Sequence, residues 1–243
     1  MNLTIDLGNS LGKAGVFDNG KMKQYFEKIK EEELLDLAGK LKPKYIIVSS
    51  VRLVDEKFYE ELRKISDLII LNSHLPMPIE IDYATPQTLG VDRIAAVAGA
   101  NTLYPNQNCL VIDLGTCITY DFVDDRAVFH GGNITPGMNM RFKALHHFTA
   151  KLPLVEMEED SIPEFTGKST KGAILSGVIH GIRLELEGVI THYKEKFAGL
   201  TTLLTGGDAF FFEKILKEQI FVVPKLTLTG LNRILEYNAA KIE

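Results

Sequence analysis

Apolar residues in this chain fall into short continuous runs separated by stretches with helical spacing. That is the pattern of strands buried on both faces alternating with amphipathic helices. The first run, Leu3-Thr4-Ile5, ends in Asp6-Leu7-Gly8, and a near copy, Leu110-Val111-Ile112, ends in Asp113-Leu114-Gly115. Each reads as a buried strand that turns sharply at glycine and brings an aspartate and backbone N–H groups to its polar end. After the first turn, Ala14-Gly15-Val16-Phe17 and the turn Asp18-Asn19-Gly20 predict an antiparallel meander. Leu34, Leu35, Leu37, Ala38 and Leu41 share a helical face over 31–41, with acidic residues at the start to suit the helix dipole. Residues 45–51 form a continuous apolar run that predicts a strand, followed by a helix over 55–65 and a strand over 68–71. The alternation predicts an α/β fold.

From 72 to 90 the pattern breaks at Pro76, Pro78 and Pro86, which predicts irregular surface or a cleft wall. Gly90-Val91-Asp92-Arg93 then opens a helix of small residues. Asp92 either caps that helix or stands with Arg93 at the edge of a cleft, held rigidly because a helix of alanines packs close to its neighbours. A polar turn at 104–108 precedes the repeat strand over 109–114 and its partner over 118–122. Gly131-Gly132-Asn133-Ile134-Thr135-Pro136-Gly137 predicts a tight loop that approaches something closely, before a helix starting at Met138. Thr170 is expected to cap a long helix over 171–197. Its apolar stripe, Ile174, Leu175, Val178, Ile182, Leu186 and Ile190, reads as core or as the seam of a dimer, with Gly177 and Gly181 allowing close packing. A strand over 200–205 ends in Gly206-Gly207-Asp208, a bare turn or a place where an adenine or ribose lies unobstructed. No chemistry is evident in the terminal helix over 226–237.

The two Asp-Leu-Gly turns suit phosphate. Glycine lets the backbone approach oxygens closely, and the aspartate can hold a cation that phosphates need. Their duplication implies two halves, 1–105 and 106–243, each lending one hairpin to a nucleotide held between them. Lys13 is one strand position from the first turn and is either a solvated charge or a phosphate contact. With a net charge of −5 and a pI of about 5.7, the chain has no general attraction for nucleic acid or an anionic membrane, so any phosphate binding must be local. No basic leader with a long apolar stretch opens the sequence, and no segment approaches membrane-spanning length, so a cytoplasmic protein is expected. Cys109 and Cys117 read as free core thiols, His146-His147 as surface histidines without ligand spacing, and the acidic run over 156–160 as a solvated loop. Gly167-Lys168-Ser169-Thr170 lacks the earlier glycine and the leading strand of a Walker loop.

Taken in order, Asp6-Leu-Gly-Asn-Ser10, Gly90-Val-Asp-Arg93, Asp113-Leu-Gly-Thr116, Gly131-Gly-Asn-Ile-Thr-Pro-Gly137 and Gly206-Gly-Asp208 resemble the type III pantothenate kinases over nearly the whole chain. The resemblance implies a duplicated actin-like, ribonuclease H-like two-domain fold of the acetate and sugar kinase, heat-shock chaperone and actin superfamily (ASKHA), with ATP in the interdomain cleft. It implies a homodimer that phosphorylates pantothenate with ATP, the first step toward coenzyme A. Asp6, Leu7, Gly8, Asn9, Ser10, Leu11, Gly12 and Lys13 would receive the ATP phosphates, with magnesium as the divalent ion. Thr116 would touch ATP, and Asp113 would hold a monovalent cation, potassium or ammonium. Asp92 would be the base. Tyr83, Gly90, Val91, Asp92, Arg93 and Thr170 would contact pantothenate, Thr170 from the other subunit. Ser10 stands where the family more often has threonine, and the hydroxyl is kept. The rival readings are another kinase or phosphatase of the same superfamily, and a regulatory homologue without turnover.

Overall fold

The computed structural model describes residues 1–8, 12–157 and 161–240. In chain order the elements begin with β1 (Asn2–Leu7), β2 (Gly12–Asp18), β3 (Lys21–Ile29), α1 (Glu31–Leu41), β4 (Tyr45–Ser50), α2 (Glu56–Ile65) and β5 (Asp67–Ile70). Next come β6 (Glu80–Ile81), α3 (Val91–Leu103), β7 (Cys109–Leu114), β8 (Cys117–Val123), β9 (Val128–Pro136) and α4 (Met138–His147). The last are α5 (Thr170–Lys196), β10 (Thr201–Thr205), α6 (Ala209–Glu213), β11 (Phe221–Val222) and α7 (Leu226–Ala239). The chain divides into two units, one of Met1–Asn106, Val123–Gly131 and the residues from Lys225 onward, the other of Gln107–Phe122 and Gly132–Pro224.

In the first unit five strands lie in the order β3-β2-β1-β4-β5. β1 is central, antiparallel to β2 and parallel to β4. The meander turns at Asn19 and Gly20, both with positive φ (48° and 72°), the backbone of a tight hairpin whose twist matches its strands. Leu3, Ile5 and Leu7 of β1 pack with Leu34 and Ala38 of α1, Ile46 and Val48 of β4, and Phe58 and Leu62 of α2. Each fully buried leucine or isoleucine of this kind contributes about 1.5–3 kcal/mol. Asp55 caps α2 by accepting the Lys57 N–H.

α3 and α7 meet almost backbone to backbone. A methyl at Gly99 would stand 2.3 Å from the Leu226 carbonyl oxygen, and one at Gly230 would stand 1.7 Å from that of Ala95. The run of alanines along α3 therefore serves close helix packing, as its composition predicts. The same unit holds β6, which pairs in parallel with the start of β9, Glu80 beside Val128 and Ile81 beside Phe129.

In the second unit the strands run β11-β10-β7-β8-β9, with β10 parallel to β7 and to β11. Ile174, Val178, Ile182, Leu186 and Ile190 of α5 are buried in the core of this unit with Leu110, Ile112, Tyr120 and Phe142. The stripe is therefore core and not a dimer seam. Gly177, Gly181 and Gly188 lie off the stripe, and an added methyl at any of them would have no atom within 4 Å. The cap of α5 is Ser169, whose hydroxyl accepts the Gly172 N–H at 3.1 Å, and Thr170 is the first helical residue, not the cap.

A second correction concerns 131–137, expected as a loop. Residues through Pro136 belong to strand β9, and Gly132 serves its close approach to β8. A methyl on Gly132 would fall 1.5 Å from the Tyr120 carbonyl oxygen, so only glycine lets the two strands lie together there. High glycine density signalled the close approach correctly and its backbone shape wrongly. Among the described residues no helix is long and apolar enough to cross a membrane.

Candidate active site

The first Asp-Leu-Gly turn is built by the register of the central strand. Asp6 lies opposite Lys13 on β2 and opposite Ser49 on β4. Burial pushes the Asp6 carboxyl up from 3.8 to about 6; the Lys13 charge opposes this, the Asp92 charge adds to it, and the Ser49 hydroxyl opposes it. The fold thus brings Asp6, Lys13 and Asp92 within electrostatic reach of one another. Two carboxylates and one ammonium leave an excess of negative charge that a cation would relieve. Leu7 is fully buried and anchors the turn. Gly12, at the start of β2, has a 3.1 Å gap to Leu7 and 3.2 Å to the Ile29 carbonyl oxygen where a methyl would go. Gly8 is half-buried beside them, whereas Asn9, Ser10 and Leu11 lie outside the described residues.

Gly90 is the N-cap of α3 and offers no side chain to it. Asp92, in the first turn, accepts the Arg93 N–H on Oδ1 at 2.9 Å. A methyl on Gly90 would stand 2.6 Å from that oxygen, so glycine there leaves the carboxylate its place. Asp92 is therefore not the cap of α3 but its second helical residue, and Val91 is half-buried as the first. Arg93 is not a surface charge: it is 6 % exposed, with its guanidinium carbon 5.9 Å from the ring centroids of both Tyr83 and Phe129. Those rings are parallel within 2° at 6.4 Å.

Tyr83 is held in place by its neighbours. Asp82 donates its N–H to the Phe129 carbonyl at 2.9 Å, and Gly131, at φ +82°, leaves 3.0 Å between a would-be methyl and the tyrosine ring. His130 lies between Asp82 and Asp124, 3.4 Å from the first and 3.0 Å from the second. Sequence reading missed Phe129 and His130; the one signal pointing toward them was the glycine pair that follows.

The second turn lies in the other unit. Asp113 ends β7 half-buried, the Gly115 N–H donates to the Cys117 carbonyl at 3.1 Å, and Thr116 is exposed at the tip. The third glycine turn packs onto this one. Gly206 has φ +93°, and a methyl on it would stand 2.5 Å from both Asp113 Oδ1 and the Leu114 carbonyl oxygen. Gly206 is thus a packing residue, while Gly207 has open space around its Cα. A carboxylate oxygen close to backbone carbonyls, in a cradle that a methyl would fill, is a hard-oxygen donor set and fits a monovalent cation. Among the described residues no cluster of three or more His, Cys, Asp or Glu side chains is placed to hold a metal. A magnesium ion bound through one carboxylate and substrate phosphates fits the single carboxylates that are present. Thr170 is exposed at the start of α5 and lines an apolar cavity of about 830 Å³ with Arg141, Leu145, Phe148 and Ile174.

Comparison with known proteins places the chain. A type III pantothenate kinase of Cytophaga hutchinsonii is 50% identical over 98% of this chain and 100% of its own length. One of Bacteroides fragilis is 44% identical over 100% of both chains. Among solved structures, a Campylobacter jejuni protein assigned to the Baf family of transcriptional activators superposes with a TM-score of 0.62 at 25% identity, covering 98% of this chain and 99% of that one. A 2-dehydro-3-deoxygalactonokinase of Sinorhizobium meliloti gives 0.58 at 14% identity over 100% and 99% of the two chains, a likeness of fold alone. That likeness to a sugar kinase agrees with the duplicated actin-like α/β architecture. The family profile described as type III pantothenate kinase matches residues 2–192, and the chain belongs to the type III pantothenate kinases.

Proposed function

We propose that the protein transfers the γ-phosphoryl group of ATP to the primary hydroxyl of pantothenate, giving 4'-phosphopantothenate and ADP, the first step toward coenzyme A. The observation that carries this reading is the juxtaposition of Asp6, Lys13 and Asp92 in a chain of this family. An alcohol is a poor nucleophile until a carboxylate accepts its proton, and the rest of phosphoryl transfer is positioning and charge neutralisation. Asp92 takes the hydroxyl proton as the new O–P bond forms and the bond to ADP breaks. The bond it accepts from the Arg93 N–H orients the carboxylate for that task. Arg93 and Tyr83 bind pantothenate together with Gly90 and Val91, and burial of the guanidinium beside two aromatic rings keeps it rigid.

Residues 6–13 receive the ATP phosphates, Lys13 and Asp6 working with magnesium, and Thr116 contacts the nucleotide. Asp113 holds potassium or ammonium. When bound, these cations neutralise phosphate charge. A boundary between two duplicated halves near residue 105 and a cytoplasmic location, where ATP is abundant, belong to the same reading.

The assay that tests it measures ADP release with ATP and pantothenate, glucose, acetate or N-acetylglucosamine in turn, in potassium chloride and in tetramethylammonium chloride at equal ionic strength. ADP is expected with pantothenate only, and removing potassium lowers the rate by about tenfold or more, the equivalent of roughly 1.4 kcal/mol of lost charge stabilisation. A rate indifferent to potassium would remove the cation from Asp113, and ADP release with a sugar would reassign the substrate.

We also propose a homodimer. Because the α5 stripe is core, the two-fold contact is assigned to the open face with Gly177, Gly181 and Leu184, the last 51% exposed, together with Phe148 at 82% and Phe165 at 64%. Exposed apolar residues in that number mark an association surface. Thr170 would then reach substrate bound by the other subunit. Light scattering should give twice the 27.1 kDa chain mass. Gly181→Arg, at a position where an added Cβ meets no atom within 4 Å, should give a folded monomer with weakened pantothenate binding. A native-like dimer of that variant would place the interface elsewhere.

A further inference from the structure

Glu185 lies in the middle of α5, where sequence reading assigned it nothing. It is a charged residue on the apolar face, seven positions after Val178 and three after Ile182. Its carboxylate gathers three partners from distant parts of the second unit. The Tyr120 hydroxyl, 65 residues away on β8, donates to Oε1 at 2.6 Å. The Thr135 hydroxyl, 50 residues away on β9, donates to the same oxygen at 2.7 Å. The Arg141 guanidinium, 44 residues away on α4, donates to Oε2 at 2.6 Å. Burial opposes the charge on Glu185, and the bonds from Tyr120, Arg141 and Thr135 more than offset it, holding its pKa below the ordinary value.

Replacing a whole partly buried ion pair by apolar groups is often neutral for stability, so stability alone is weak ground for keeping a charge here. What the network does supply is geometry. Arg141 reaches from Glu185 to the Pro136 carbonyl, to which its Nε donates at 2.8 Å. The next residue, Gly137, donates its N–H to the Thr116 carbonyl at 3.1 Å. A methyl on Gly137 would stand 2.2 Å from the Gly115 carbonyl oxygen and 2.6 Å from that of Thr116. The β9–α4 corner is therefore seated directly on the second Asp-Leu-Gly turn.

We propose that Glu185 is a positioning residue for the nucleotide and its monovalent cation: through Tyr120, Thr135 and Arg141 it locks the Pro136–Gly137 corner against the Gly115–Thr116 turn. This rests on the assignment of Thr116 to ATP and Asp113 to the cation. Glu185→Gln keeps the shape and an acceptor for Tyr120 and Thr135 but loses the charged bond to Arg141. Arg141→Lys keeps the charge but loses the fork that joins Glu185 to Pro136.

The experiment measures steady-state constants for both substrates, potassium activation, melting temperature, and calorimetric binding of a non-hydrolysable ATP analogue. It compares the wild type with both variants and with Asp113→Asn. KM for ATP and the potassium requirement should rise by about tenfold in both network variants, as outer-shell partners of bound ions do. KM for pantothenate should stay within about twofold of the wild type. If Asp113→Asn loses nucleotide and potassium affinity while both network variants keep them and only melt earlier, the network is structural and the proposal is overturned. If Asp113→Asn also keeps them, the nucleotide assignment itself fails. Should Glu185→Gln not fold, Arg141→Lys decides alone.

Discussion

Replacing Asp92 with asparagine lowers turnover by about a hundredfold to ten-thousandfold, the usual loss when a general base is removed from a proton transfer in the transition state. The fold survives. Asparagine is nearly isosteric, and its carbonyl oxygen can accept the Arg93 N–H as Oδ1 of Asp92 does now, so the first turn of α3 keeps that bond. Binding of ATP, assigned to the strand turns, should change little, and circular dichroism should show an unaltered helix content. Loss of the negative charge beside Asp6 even favours that group's ionised form, since Asp92 is one of the influences that raise its pKa. A variant that keeps more than half of wild-type turnover removes Asp92 from the chemistry.

Asp6→Asn should separate stability from activity. Burial raises the Asp6 pKa from 3.8 to about 6 in the folded protein. A carboxyl with a raised folded pKa binds its proton more tightly when folded. Its ionisation therefore costs stability as pH rises from about 4 through about 6, and the full cost is present above that. At pH 8 the asparagine variant should be more stable by about 1–3 kcal/mol, allowing for the part of the carboxyl open to solvent. The difference should vanish below pH 3.8, where the acid is protonated in both states. Activity moves the other way. Without the charge proposed to work with magnesium at the phosphates, the rate should fall by about a hundredfold or more. In the wild type, kcat/KM should fall as pH drops through about 6. Denaturant unfolding at the two pH values and a pH–rate profile check both halves, and an asparagine variant less stable at pH 8 would contradict the assigned cause of the shift. The buried carboxylate is thus a feature the fold tolerates at a cost in stability, as functional sites commonly do.

Local signals made much of this legible. The helix over 31–41 has the expected bounds because acidic residues start it and its apolar face repeats cleanly. The strand leading into the first Asp-Leu-Gly, the second Asp-Leu-Gly turn, the small-residue helix after Gly90 and the meander are where the sequence pattern puts them. Misreadings came where one residue type serves two backbone shapes. Glycines at 131–137 signal close approach, and whether the backbone is strand or loop depends on Tyr120 across the ladder, which no local pattern shows. The α5 stripe is apolar whether it meets its own sheet or another chain; only the packing of Tyr120 and Phe142 against it shows that it is core. Ser169 and Thr170 are both good caps, and the chain uses the earlier one. The network at Glu185 joins residues 44 to 65 positions apart, so only tertiary structure could reveal it.

The most direct test of the central claim is the identity of the product. Purified protein with ATP, magnesium, potassium and pantothenate should give, by phosphorus NMR and mass spectrometry, a phosphate monoester on the primary hydroxyl of pantothenate in amounts equal to the ADP formed. Free phosphate accumulating beside unchanged pantothenate, or no consumption of ATP at all, would contradict the account.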